Sequence, residues 1–196
     1  MEFYVNGEKI EIQLEDEKTV GDILKSFEEE FAKNNATTVN IILDGKNVDA
    51  EHFDDECKKP LEDATKIELS VVSLSDIQNS FKAEAQECSE LAEKMLEIPE
   101  KLQAGKDKEA SKMITLLTDF IENFCHTASL SALFPENYND IKIDEKNLKD
   151  FFADFTQILS DFEQAISSKD TVLIGDLAEY EISPRLVAIA NSIKDL

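Results

Sequence analysis

The chain has 196 residues, 42% hydrophobic and 32% charged, enough apolar material for one large domain or two small ones and too much for a disordered polymer. Its formal charge is −23, from 43 acidic and 20 basic side chains, and it is spread evenly: residues 1–73 carry 19 acids and 8 bases, residues 74–196 carry 24 and 12. Such a field repels phosphate backbones and anionic bilayers, so neither nucleic acid nor a membrane is an expected partner.

The opening Met1-Glu2-Phe3-Tyr4-Val5 has no basic or apolar leader pattern, and no signal peptide is expected. Phe3 and Val5 alternate with Glu2 and Tyr4 up to Asn6-Gly7, a pair that favours a two-residue hairpin turn because both positions tolerate positive φ. Ile10, Ile12 and Leu14 alternate beyond it and predict the returning strand. Thr19 is the next N-cap, followed by one helical face of Val20, Ile23, Leu24, Phe27 and Phe31, with Asn34-Asn35 as the stop. A third strand spans Val39 to Leu43 and turns at Asp44-Gly45 into Lys46-Asn47-Val48. After an acidic irregular stretch, Ile67, Leu69 and Val71 alternate in a last strand.

This order, with Ile41-Ile42-Leu43-Asp44-Gly45-Lys46 as a strand and turn and Asp63-Ala64-Thr65-Lys66-Ile67-Glu68-Leu69 as a closing strand, resembles the ubiquitin-like β-grasp family. Met1, Phe3, Val5, Ile12, Leu14, Val20, Ile41, Val48, Ile67 and Leu69 fall where that fold places its core. The resemblance implies a fold more than an activity. The last strand ends at Val72 and the chain runs on instead of ending in a Gly-Gly tail, and Glu68 and Ser70 replace two positions of the ubiquitin recognition patch, of which Ile42 is kept. What the resemblance implies is therefore a docking module, not a modifier or sulfur carrier.

Beyond Val72 the period changes from two to 3.6. Ser75-Asp76-Ile77-Gln78 reads as a capping box, and Ile77, Phe81, Ala85, Cys88, Leu91, Met95, Ile98 and Leu102 form one helical stripe. Pro99 predicts a kink or a new segment, with Gly105 as the stop. Ala110, Met113, Ile114, Leu117, Phe120, Ile121, Phe124 and Ala128 mark a second helix running to Phe134-Pro135. A surface loop holding Tyr138 follows, then a third, Phe-rich helix capped by Asp144 with Leu148, Phe151, Phe152, Phe155, Ile158, Leu159, Phe162 and Ile166 on its face. Asp170 caps a last helix whose apolar residues, Val172 through Ile193, go nearly all the way round it. An all-round apolar helix is central in its bundle or meets a partner. Within it, Glu181 and Arg185, the only arginine, are spaced to pair. This portion resembles helical regions of uncharacterised bacterial proteins, which implies no activity.

The expected architecture is α+β: a β-grasp domain at 1–73 followed by an acidic antiparallel four-helix bundle at 74–196. Neither half shows a reactive constellation. His52 and His126 are the only histidines, Glu122 precedes His126 by four residues where a di-metal bundle needs three, and no glycine-rich phosphate loop or nucleophile elbow occurs. No cofactor or metal is expected. Cys57, Cys88 and Cys125 are too widely spaced for a disulfide or metal framework; Cys88 and Cys125 read as buried free thiols, so a reducing, cytoplasmic setting is expected. The reading is a non-enzymatic adaptor whose partner-binding residues are Leu173, Leu177, Tyr180, Glu181 and Arg185, binding a protein partner or a second copy. Its alternatives are a chaperone-like bundle for a secretion or flagellar client and a carrier of an apolar ligand in the Phe-lined interior.

Overall fold

The computed structural model describes residues 1–196 and divides them into two units, Met1–Asp76 and Ile77–Leu196. In the first, Asn6 and Gly7 take φ of 50° and 84° and join β1 (Glu2–Val5) to β2 (Glu8–Ile10). The expected strand stops there: Ile12 is packed on the core from outside the ladder, and Leu14 is exposed. Helix α1 (Val20–Lys33) starts as its sequence indicates. The Thr19 hydroxyl accepts from Asp22 N at 3.2 Å while the Asp22 carboxylate accepts from Thr19 N at 2.9 Å, a reciprocal cap worth about 0.5–2 kcal/mol. The Lys18 N–H, which donates to the same carboxylate at 3.0 Å, and then Thr19 hold the Asp22 carboxyl below its ordinary range.

Strand β3 is longer than its apolar stretch, spanning Ala36–Leu43, and turns at Asp44-Gly45 into a two-residue β4 (Lys46–Asn47). The acidic stretch contains an unanticipated short helix, α2 (Phe53–Cys57). It lies so close to α1 that a Cβ on Gly21 would stand 3.0 Å from both the Cβ and the carbonyl oxygen of Cys57, which accounts for glycine there. Strand β5 (Lys66–Ser73) completes a mixed sheet ordered β2-β1-β5-β3-β4, with β1 and β5 parallel and every other pair antiparallel. Against it α1 presents Val20, Ile23 and Phe27, closing a core with Phe3, Leu43, Ile67 and Leu69; the Phe3 and Phe27 rings stack at 4.1 Å.

Helix α3 (Leu74–Gln103) follows β5 with no loop between them. Its capping box is Ser73 with Asp76, not Ser75 with Gln78: the Ser73 hydroxyl accepts from Asp76 N at 3.1 Å and the Asp76 carboxylate accepts from Ser73 N at 2.9 Å. The ladder continues to Ser73, so the helix must be capped at the last strand residue. Pro99 lies inside this single helix, and Gly105, at φ 70°, stops it.

In the second unit the stripe expected on α3 is buried from Ile77 to Ile98. Helix α4 (Asp107–Ser131) contributes Ala110, Leu117, Phe120 and Phe124 to the same interior. Cys125, expected inside, is exposed, because Phe120, Phe124 and Thr127 set the buried face and leave it one position off. The expected surface loop is a helical turn, α5 (Pro135–Tyr138), that drives Tyr138 inward against Phe81, ring centroids 5.5 Å apart. Two-residue strands β6 (Lys142–Ile143) and β7 (Lys146–Asn147) follow, hinged on Asp144 and Glu145 at φ 52° and 63°. Asp144 is thus a turn residue, and the cap of α6 (Leu148–Ser168) is Asn147, whose side chain accepts from Asp150 N at 2.9 Å. From α6 Phe151, Phe155 and Phe162 are buried, and aromatic contacts run from Phe81 through Phe124 to Phe152 and Phe155.

One polar pair sits in this interior. Glu84 of α3 is 7% exposed; one carboxyl oxygen accepts from the Thr127 hydroxyl of α4 at 2.5 Å, while the other has no partner.

Candidate interaction face on the last helical run

Residues after α6 make one helical run in three pieces: α7 (Thr171–Asp176), a wide π-helical segment at Leu177–Ile182, and α8 (Ser183–Ile193). Lys169 breaks α6 with φ 57°, and the Asp170 carboxylate caps α7 by accepting from Leu173 N at 3.0 Å. The wide turn has a local cause. Pro184 has no N–H to continue an α-helical ladder, and its ring would collide with the carbonyl of Tyr180. Widening the preceding turn relieves that collision, as the Ser183 N–H bond to the Ala178 oxygen, five residues back, records. Arg185 then reaches back, donating from Nη1 to the Glu181 carbonyl oxygen at 2.8 Å and to its carboxylate at 2.6 Å.

The inner side of this run is fixed to α3. Ser183 Oγ donates to the Ala92 carbonyl at 2.9 Å, and Cys88 Sγ to the Leu186 carbonyl at 3.0 Å. Burial pushes the Cys88 thiol up to about 12, so it is an inert packing group. Ile174, Ala178, Ile182, Leu186, Ile189 and Ile193 are all buried, and Gly175 meets the Pro99 ring so closely that a Cβ would lie 3.3 Å from its Cβ and Cγ.

The outer side carries large apolar side chains in solvent, with the exposed Asp176 among them. Val172 (71% exposed), Leu173 (41%), Tyr180 (65%) and Val187 (46%) lie along one stripe, with Pro184 exposed among them. The helix is therefore not central in its packing; it has a buried apolar face and an exposed face on which large apolar side chains flank Asp176. Of the five residues marked from sequence, Leu173 and Tyr180 lie on this stripe, Glu181 and Arg185 pair beside it half-buried, and Leu177 is turned partly inward. The neighbouring Glu179 carboxylate holds the Tyr180 phenol above its ordinary range. Val172 and Val187 belong to the stripe although sequence reasoning did not mark them. Their four- and seven-residue spacing from Asp176 and Tyr180 was the available signal.

A concavity of the helical unit, about 430 Å³, opens between α4 and α6 and is lined by Ile114, Leu117, Ile121, Leu159, Phe162 and Ile166. No three His, Cys, Asp or Glu side chains gather as a metal site would require, and no helix is long and apolar enough to cross a membrane.

Fold and face together define an α+β protein with a five-stranded mixed sheet, a following helical unit and an exposed apolar helix face. Residues 76–192 match the family model described as Domain of unknown function (DUF8042), and the chain belongs to that family. Residues 1–73 match the model described as the TP0873 N-terminal domain. Over 193 residues the chain is 22% identical to an uncharacterised protein of Treponema pallidum (strain Nichols), covering 98% of this chain and 96% of that relative. No solved structure matches the chain.

Proposed function

We propose that the protein is a non-enzymatic adaptor: a ubiquitin-like β-grasp domain joined to an antiparallel helical bundle that captures a protein partner through the outer face of its last helical run. The observation that carries this reading is the row Val172, Leu173, Tyr180 and Val187, large apolar side chains left in water along a helix whose other face is anchored by two interhelical hydrogen bonds. Contiguous apolar patches mark interfaces, and a rigid helix loses little freedom on docking. The parallel β1–β5 pair at the centre of the sheet and the single helix packed across it support the β-grasp assignment. A cytoplasmic setting agrees with three free cysteines.

The test is Leu173→Asp with Tyr180→Asp in the full chain, neither a core position. Light scattering and capture on immobilised protein should show a stoichiometric polypeptide, or a second copy, that the double variant loses while its thermal unfolding is unchanged. A folded double variant that retains the partner refutes the assignment. A small apolar molecule in the native mass spectrum, displaced by Leu117→Trp, would instead favour a ligand carrier built on the α4–α6 cleft.

A further inference from the structure

A concavity of about 750 Å³ lies in the first unit. Its walls are Leu24, Lys25 and Glu28 of α1, the stretch Thr38–Ile41 of β3, and Phe53 and Asp54 of α2. The β3 wall is a sheet edge, because β4 pairs only with Ile42 and Leu43 and leaves Ala36–Asn40 with no strand outside it. At Val39 the register with β5 shifts, and that side chain is 41% exposed; Phe53 across the groove is 39% exposed. An unpaired edge is a template for another chain, and proteins shield such edges. Here the shield is one side chain: the Glu28 carboxylate accepts from the Thr38 amide at 3.3 Å and from the Thr37 and Thr38 hydroxyls at 2.8 and 2.9 Å.

We propose that this edge is a docking groove for an extended protein segment carrying apolar residues flanked by Lys or Arg, which adds as a strand beside Ala36–Asn40. Three observations select that occupant. The groove carries Glu28, Asp49 and Asp54 against the single base Lys25, so it draws cations. Second copies of a chain at −23 repel one another, and nucleic acid is repelled likewise. The apolar floor of Leu24, Ile41 and Val48 beside free backbone groups suits a strand, whose backbone bonds supply affinity and whose alternate side chains supply selectivity. In the complex a basic side chain takes the Glu28 carboxylate, which frees the Thr38 N–H for an incoming carbonyl. The free stretch is about 17 Å long at roughly 3.3 Å per residue, so a segment of about five residues spans it.

The probe is a capped peptide of about eight residues alternating lysine and valine, long enough to cover the edge. It is titrated into the full chain with amide shifts recorded, beside a glutamate–valine control. The lysine peptide should bind saturably and shift the Ala36–Ile41 amides, the control should not bind, and Val39→Asp should weaken binding more than tenfold. Glu28→Gln should weaken it about fivefold and flatten its salt dependence. Both variants alter exposed or half-buried groups, so unchanged thermal unfolding confirms that they fold. Equal binding of the two peptides, unchanged binding by Val39→Asp, or shifts confined to other acidic surfaces would each overturn the proposal. So would a dimer abolished by Val39→Asp, which would make a second copy the occupant. Leu173→Asp with Tyr180→Asp leaves this binding intact, so the groove and the last-helix face succeed or fail separately.

Discussion

Replacing Glu84 by Gln should leave the helical unit as stable as the parent in acid and more stable at neutral pH. The carboxyl is 7% exposed, has one donor, Thr127, and leaves its second oxygen with none. Burial raises its pKa above the ordinary 4.5, the Thr127 bond opposes that rise, and the charge of Glu87 adds to it. The sign follows from proton binding. Above pH 4.5 the unfolded chain has lost this proton while the folded chain keeps it. Stability therefore falls with rising pH, by about 1.4 kcal/mol per pH unit, until the buried carboxyl itself ionises, and is level beyond. Glutamine has no charge to form, so the difference between parent and variant isolates this group from the repulsion among the other acids. An orphaned buried polar atom costs about 1–3 kcal/mol, and the ionised carboxylate more, whereas the amide keeps the Thr127 bond through its oxygen. Thr127→Val removes the only donor and should cost about 1.5–3 kcal/mol in the parent at pH 7, but only about 0.5–1.5 kcal/mol in the glutamine background. Urea unfolding followed by far-ultraviolet ellipticity, dominated by the long helices, measures all four proteins from pH 4 to 8. A parent-minus-variant difference that stays flat across that range, or a glutamine variant less stable at pH 7, would refute the reasoning.

Two further outcomes test the packing. Gly175→Ala puts a methyl 3.3 Å from the Pro99 ring, which helix α3 holds, and should lower stability by about 1–3 kcal/mol in thermal unfolding; Pro99→Ala in the same chain should recover part of the loss. Phe81→Ala empties a fully buried site between Phe124 and Tyr138 and should cost about 3–5 kcal/mol, read as a lower urea midpoint at unchanged slope.

Local chemistry made much of this fold legible. Asn6-Gly7 and Asp44-Gly45 carry positive φ because few other pairs accept it, and Thr19 with Asp22 caps α1 because the spacing lets each satisfy the other. The losses came where tertiary context outweighs pattern. Ala36-Thr37-Thr38 lacks an apolar rhythm, yet it continues β3 because β5 offers a ladder as far as Ser73, and that same ladder moves the α3 cap from Ser75 to Ser73. Asp144 has the composition of an N-cap, but a two-residue hairpin needs it at φ 52° and leaves capping to Asn147. Tyr138 follows a proline in a polar stretch and gives no sign of its burial against Phe81, which lies 57 positions earlier in the chain. The groove beside β3 could not be read at all, since it arises from what β4 fails to cover.

The last helical run shows how a pattern can be present and still misread. Ile174, Ala178, Ile182 and Leu186 are buried at steps of four. At 3.6 residues per turn each such step walks about 40° around an α-helix, and three of them about 120°. Projected on an α-helical wheel, the apolar residues therefore spread all the way round. A single extra residue in one turn returns about 100° of that drift, and the wide turn at Leu177–Ile182 supplies it. With the phase restored, Ile174 and Leu186 face the same core, and the positions opposite, Leu173, Asp176, Tyr180, Pro184 and Val187, line up in solvent at steps of three and four. An all-round apolar helix and a two-faced helix with a wide turn share one composition; the run of fours ahead of a proline distinguishes them. That phase correction sets Leu173, Tyr180 and Val187 along one exposed row while Ser183 and Leu186 remain bonded to α3.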